Sequence, residues 1–437
     1  RIALTLLETL FIVLLALLWK LWQQVTERDT FVFQMLQIIG AAFIWVFIEQ
    51  LRSSYPFGGM PWGLLGFSLV DSPFISFASY GSTQLVAFFA VLSALVFSKI
   101  FTFILSRNFF SASVFGIVAV ILTGITFLPG KVDFHNAEKI KIAVVQGNVE
   151  DETVLAEDED RALIVTQKHI DETLKLLQTD PAAAEIAFIA WPESASDYDI
   201  REDAEVQRML QPLISELGGT PLLLGTQKYF ADDARTNDYV FLHNGEVVQS
   251  YSKQHPVPFG EYLPFRDFIE EIVPEAKKIV TDMIPGTNSA YLEIPLKTST
   301  RENLKIATPI CFEVADNLIV ADAAKGSGII VVPTNNASFG DTGEPWQQFA
   351  MTRFRAVETG KAAIQVSTSG TTGAITPDGR VMYRTGLFEA DSRIVELPLM
   401  FSDTYAVSTA KYRELLINLF GVTLLLGAFI IKTAGKK

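Results

Sequence analysis

Residues 186–194 read Ile-Ala-Phe-Ile-Ala-Trp-Pro-Glu-Ser. The apolar run is too short for an ordinary helix, and it ends at a proline, which cannot donate to a sheet ladder. It reads as a buried strand, Ile186–Trp191, with the carboxylate of Glu193 just beyond its end. The same grammar recurs twice. Glu246–Lys253 is a strand candidate that stops on a lysine, and Leu304–Glu313 is one that runs through the single cysteine, Cys311. Further strand candidates are Ile140–Asn148, Pro221–Tyr229, Gly328–Asn335 and Ala362–Thr368. Between them, 160–178, 201–217 and 345–360 carry apolar residues at helical spacing, with Asp160 or Glu344 near their starts. His243-Asn-Gly-Glu246 reads as a hairpin turn. Strands alternating with helices predict an α/β sheet domain over 137–405 with helices on its faces. Such sheets present reactive groups at strand ends.

Outside that domain the composition changes. Residues 2–22, 31–51, 83–105, 109–128 and 415–431 are apolar runs with almost no charge. Each matches or approaches the ~20 residues a helix needs to cross ~30 Å of hydrocarbon. Glu8 interrupts the first run and no small-residue cleavage site follows, so it reads as a span and not a signal peptide. The expected organisation is a bundle of about four transmembrane helices in 1–136, the α/β domain in 137–405, and a C-terminal span with its tail in 406–437. Lys20, Arg28, Arg107, Lys432, Lys436 and Lys437 flank the spans consistently with a cytoplasmic side, and Arg52 dissents. The α/β domain and the 52–82 loop then share the outer side.

The formal charge of −14 argues against a nucleic-acid partner. The acidic runs Glu150–Glu152 and Glu157–Asp160 read as solvated loop. One cysteine excludes an intramolecular disulfide, and four histidines without a His/Cys cluster give no support for a metal. No phosphate-binding glycine loop is present, so no cofactor is expected.

Three motifs hold the reactive side chains: Ala190-Trp-Pro-Glu193-Ser, Tyr251-Ser-Lys253-Gln-His-Pro-Val-Pro-Phe-Gly-Glu261-Tyr-Leu-Pro, and Pro309-Ile-Cys311-Phe-Glu313. Singly, each residue has an ordinary explanation: a turn carboxylate, a solvated lysine, a small buried thiol. Together they resemble the nitrilase (carbon–nitrogen hydrolase) superfamily. The long Lys253-to-Glu261 motif resembles its membrane-embedded branch, the apolipoprotein N-acyltransferase family. So do Val145-Gln-Gly-Asn148, Glu344-Pro-Trp-Gln-Gln348 with Met351-Thr-Arg-Phe-Arg355, Trp45-Val-Phe-Ile-Glu49 and Gly59-Met-Pro-Trp62. The resemblance implies a multi-span helical membrane bundle joined to an α-β-β-α sandwich. Because that family has eight spans, it also implies three more ahead of Arg1.

The chemistry follows from the residue types. A thiol is mostly protonated at neutral pH and needs a base or a nearby cation. Glu193 is the candidate base, Cys311 the nucleophile, and Lys253 a fixed positive charge. Lys253 and the Phe312 backbone N–H are the candidate oxyanion donors. Glu261 and Glu313 are placed to orient Lys253. His255 is a less economical partner for the thiol, since Glu193 and Lys253 fill both roles. The sequence departs from the family at Phe312, Asn336, Ser338 and Gln348, where tyrosine, aspartate, tryptophan and histidine are common. The acidic stretch after Asn148 also lacks an expected tryptophan.

The resemblance implies a phospholipid acyl donor, a lipoprotein acceptor, and residence in a bacterial inner membrane with the catalytic domain on the periplasmic side. The rival reading is a membrane-anchored nitrilase-type amidase acting on small amides, with water as acceptor.

Overall fold

The computed structural model describes residues 2–28, 30–127, 132–149, 161–231 and 234–434. The acidic runs Glu150–Glu152 and Glu157–Asp160, with Lys436 and Lys437, lie outside them. The chain forms two compact units, Arg1–Lys131 with Thr409–Lys437, and Val132–Ser408.

Three helical stretches of the first unit, Leu4–Thr26, Phe31–Arg52 and Pro73–Leu105, are long and apolar enough to cross a membrane, and Phe109–Ile125 is shorter. The helix Ala78–Leu105 leaves helical geometry at Gly81 and Ser82, where the apolar run begins. The C-terminal apolar run is the later part of one helix, Tyr405–Ala434. The two charges that break the N-terminal pattern meet. Arg52 pairs with Glu8 at 3.2 Å and donates to the Gly63 carbonyl at 2.6 Å. Arg52 is thus neutralised inside the bundle, which weakens it as a marker of sidedness.

Among the described residues the second unit contains a seven-stranded and a six-stranded sheet. The strands are β1 (Lys139–Gln146), β2 (Ile186–Ala190), β3 (Leu222–Tyr229), β4 (Ala234–His243), β5 (Glu246–Ser252), β6 (Asp282–Met283), β7 (Tyr291–Pro295), β8 (Asn303–Ala307), β9 (Ile329–Thr334), β10 (Ala363–Ser367), β11 (Gly373–Ile375), β12 (Val381–Arg384) and β13 (Asp391–Pro398). One sheet runs β13-β1-β2-β3-β4-β5, with β6 on β4, and the other β12-β11-β10-β9-β8-β7. Each has a parallel centre, β1-β2-β3 or β8-β9-β10, flanked by antiparallel strands. The central strands β9 and β10 are buried at every position, as expected where both faces are covered.

The sheets pack face to face, β1 on β10 and β5 on β7. The helices Arg161–Thr179 and Ala204–Leu217 cover the first sheet, and Asn317–Ala324 and Glu344–Thr359 the second. This is the α-β-β-α sandwich expected. Its interior is apolar, with Ala143, Val145, Ile189, Trp191, Leu222 and Val240 fully buried in one cluster. At the β4–β5 turn, Asn244 and Gly245 take positive φ (50° and 84°), which suits a tight hairpin.

Candidate active site

The end of β2 is held by β3 beyond the regular ladder. Trp191 N–H donates to Leu223 O at 2.8 Å and Gly225 N–H to Pro192 O at 3.0 Å. A Cβ on Gly225 would lie 2.6 Å from Glu193 Cα, so only glycine lets β3 pass this close. The chain then turns at Ser194, φ 52°, leaving the Glu193 side chain pointing into the sandwich.

Lys253 follows β5 directly. Its N–H donates to Asn237 O at 2.8 Å, and Asn237 Nδ2 donates to Glu193 Oε1 at 2.6 Å. One β4 residue therefore holds the lysine by its backbone and the glutamate by its side chain. The Lys253 ammonium completes the link, 3.1 Å from Glu193 Oε1 and 2.7 Å from Glu261 Oε1. Glu261 Oε2 accepts from Val257 N–H at 2.7 Å, fixing the carboxylate within its own loop. Burial works against charge on Lys253, yet Glu193 and then Glu261 push its pKa well above the usual lysine range.

Cys311 differs from expectation in its local structure. The strand predicted to run to Glu313 stops at Ala307, and Cys311–Ala315 is a short 3-10 turn. Cys311 has φ 50°, an uncommon conformation for a residue with a side chain, concentrated at functional turns. The turn forms because Glu313 reaches back to accept from Ile310 N–H at 2.7 Å. The remaining capacity of Glu313 is taken by Tyr251 OH (2.8 and 2.9 Å), Gln254 N–H (2.6 Å) and His255 N–H (3.1 Å). Glu313 therefore clamps the Lys253 and Cys311 segments together through backbone and Tyr251 contacts, while Glu261 alone of the two takes a hydrogen bond from the ammonium. Burial pushes Glu313 up to about 7 against the pull of these donors, the Ile310 N–H foremost.

The thiol lies 8% exposed, and burial, then the Glu193 charge, pushes it up to about 12, with Lys253 and Thr334 pulling the other way. The three expected residues thus share one electrostatic site, with the thiol protonated at rest. Thr334 Oγ1 lies 3.3 Å and Gln348 Nε2 3.4 Å from Cys311 Sγ. His255 is turned elsewhere, its Nδ1 3.4 Å from Asp316 and its ring edge-on to Phe312.

Sequence reasoning missed Asn237, Tyr251 and Thr334, and gave Asn336 and Gln348 no role. Asn237 lies in a polar Arg-Thr-Asn-Asp run that carries no sign of a buried strand. Asn335, within the departing Asn-Asn-Ala-Ser motif, contributes its N–H, 2.8 Å from Glu193 Oε2. Among the described residues no group of His, Cys, Asp and Glu is arranged to hold a metal.

An α-β-β-α sandwich with a thiol, a lysine and carboxylates gathered at its strand ends is a protein of the nitrilase class. Residues 141–406 match the Carbon-nitrogen hydrolase family, and residues 1–96 the Apolipoprotein N-acyltransferase N-terminal domain. The chain belongs to the carbon–nitrogen hydrolase family, in the branch whose N-terminal segment is that of apolipoprotein N-acyltransferases. Curated relatives agree. An apolipoprotein N-acyltransferase of Pseudomonas syringae pv. tomato is 25% identical over 385 residues, 87% of this chain and 71% of the relative. One from Aquifex aeolicus is 29% identical over 343 residues, 78% of this chain and 71% of the relative. An amidase from Nesterenkonia sp. aligns with a TM-score of 0.41 at 17% identity, covering 61% of this chain and 92% of that one.

Proposed function

We propose that this chain is an acyltransferase of bacterial membranes. It moves an acyl chain from a phospholipid, through a thioester on Cys311, to the N-terminal amine of a diacylglyceryl-cysteine lipoprotein. What carries the reading is that one chain joins a buried thiol–ammonium–carboxylate site to a unit of membrane-length apolar helices. A soluble amide needs no such helices, whereas a substrate dissolved in the bilayer does. The relatives named apolipoprotein N-acyltransferase support the same choice.

Glu193 Oε1 is engaged by Lys253 and Asn237, while among the described residues Oε2 accepts only from Asn335 N–H. A carboxylate oxygen has two lone pairs, so Oε2 is the oxygen that takes the Cys311 proton. The sulfur attacks the ester carbonyl, and Lys253 with the Phe312 N–H stabilises the tetrahedral oxyanion. The C–O bond breaks, and the proton held on Glu193 passes to the lysophospholipid alkoxide. The lipoprotein amine then attacks the thioester. Its proton goes to Glu193, the C–S bond breaks, and the thiolate recovers the proton. The catalytic unit acts on the outer, periplasmic side of the inner membrane. A membrane-impermeant maleimide should label an engineered Lys297→Cys in intact spheroplasts. Labelling only after lysis would reverse this orientation.

The two half-reactions can be run apart. With phospholipid alone, about one lysophospholipid per protein should be released, leaving an acyl group on the only cysteine. A diacylglyceryl-cysteine peptide with a free amine should discharge it as an amide, and the N-acetylated peptide should not. Continuous turnover without an amine would instead establish a hydrolase.

A further inference from the structure

Cys311 touches a chain of neutral side chains that the steps above do not use. Gln348, Thr334 and Ser367 are wholly buried, and Asn336 nearly so. Ser367 Oγ accepts from Gly370 N–H at 2.9 Å and donates its one hydrogen onward, to Asn336 Oδ1 at 3.0 Å. That orients the Asn336 amide with Nδ2 toward Gln348 Oε1, 2.6 Å away. The Gln348 amide is oriented in turn, and its Nε2 faces Cys311 Sγ at 3.4 Å. The reverse placement would set two NH2 groups against each other and a carbonyl oxygen against the sulfur. Thr334 behaves differently. Its single hydroxyl hydrogen has two acceptors, Gln348 Oε1 at 2.8 Å and Sγ at 3.3 Å, and it can serve one at a time.

We propose that Gln348 is a catalytic hydrogen-bond donor to the Cys311 thiolate, aimed by the Ser367–Asn336 relay, with Thr334 as a second donor that swings to the sulfur when it ionises. This rests on Cys311 being the acylated nucleophile. A thiolate is a far better acceptor than a thiol or a thioester sulfur, and hydrogen bonds to ionised groups are the stronger ones. The donor therefore favours the state in which sulfur carries charge. That state occurs twice per cycle, when Cys311 is activated and when the amine expels it from the tetrahedral intermediate. Because the relay begins at a backbone N–H and consists of buried groups, the donor direction is set before substrate arrives.

The test uses the full chain in detergent micelles. Iodoacetamide alkylation of Cys311 is followed by intact mass from pH 6 to 11, the midpoint being the pH at which half the protein is alkylated in a fixed time, beside acyl loading from phospholipid. Gln348→Leu should move the alkylation midpoint up by about one unit and slow alkylation at pH 8 about tenfold. Gln348→Glu should move it further, since an anion then faces the sulfur. Ser367→Ala, which leaves every atom touching sulfur in place, should give a smaller shift of the same sign. If Gln348 merely fills space, Gln348→Leu lowers the melting temperature and leaves the midpoint unmoved, which overturns the proposal. Should Gln348→Leu not fold, an unmoved midpoint in Ser367→Ala overturns it instead. A wild-type protein that shows the midpoint but never loads an acyl group defeats the acyltransfer reading and not the donor.

Discussion

The Lys253 ammonium reaches Glu193 Oε1 across 3.1 Å, although sixty residues separate them in the chain. Both side chains are almost fully buried. An isolated charge at such depth would cost several kcal/mol. The cost is met here by mutual pairing and by the Glu261, Asn237 and Asn335 contacts, so the pair is stable only as part of the whole cluster. Removing one member leaves the others as uncompensated buried charges, and the variants below keep shape where they change chemistry.

Glu193→Gln separates two effects of one carboxylate. Its negative charge raises the Cys311 pKa, so neutralising it should move the alkylation midpoint of the thiol downward. The sign follows because an anion penalises a second, neighbouring anion. Acyl loading should nevertheless vanish, since no base remains to take the proton. Loading at wild-type rate would remove Glu193 from the mechanism.

Lys253→Arg keeps the charge and should still fail. The side chain is fully enclosed between Glu193 and Glu261, and a planar guanidinium needs more room and offers different donor angles. Single-turnover lysophospholipid release should fall at least 100-fold. Retention of more than about a tenth of the rate, a loss under ~1.4 kcal/mol, would make Lys253 a peripheral charge.

Asn237→Leu removes the side-chain donor to Glu193 Oε1 while retaining the backbone bond to Lys253 N–H. The carboxylate then loses its 2.6 Å partner, and its aim toward the thiol loosens. The loading rate should drop ten- to a hundredfold, or about 1.4–2.7 kcal/mol, with phospholipid KM little changed. A raised KM with normal kcat would place Asn237 in substrate binding.

Glu313→Gln tests the clamp. The substituted amide must present NH2 to one of the N–H groups of Ile310, Gln254 or His255, which now donate to a carboxylate. A buried donor left unsatisfied costs about 1–3 kcal/mol. Calorimetry should therefore show a melting temperature lower by several degrees, with acyl loading impaired as the Cys311 turn relaxes. An unchanged melt would show that the backbone holds this turn without the carboxylate.

Much of the sandwich was legible because central strands such as β2 and β9 are nearly continuous apolar runs. The strands missed are β4, β6, β7, β11, β12 and β13, and three of them are of another kind. In β13 only Val395, Leu397 and Pro398 are buried, and the strand lies at a sheet edge among charges. The strands β11 and β12 have three and four residues, too few to show a period. The overlong strand at Leu304–Glu313 failed for a related reason. Nothing local says that a carboxylate two residues past the cysteine will bend the chain back on Ile310.

Local chemistry in the sequence determined the strand–helix alternation, the apolar helices, and the placement of a carboxylate, a lysine and a thiol at or just beyond strand ends. Periodicity, proline sterics and side-chain type act within a few residues, so they can be read along the chain. Only the tertiary structure decided which oxygen of Glu193 accepts a single hydrogen bond, that Asn237 grips two motifs at once, and that Gln348 points its N–H at sulfur. It also decided that Arg52 meets Glu8 and that Glu313 holds backbone. Those contacts join positions brought together by sheet register, by the facing of two sheets or by helix packing, and the direction of each hydrogen bond depends on every partner already satisfied around it.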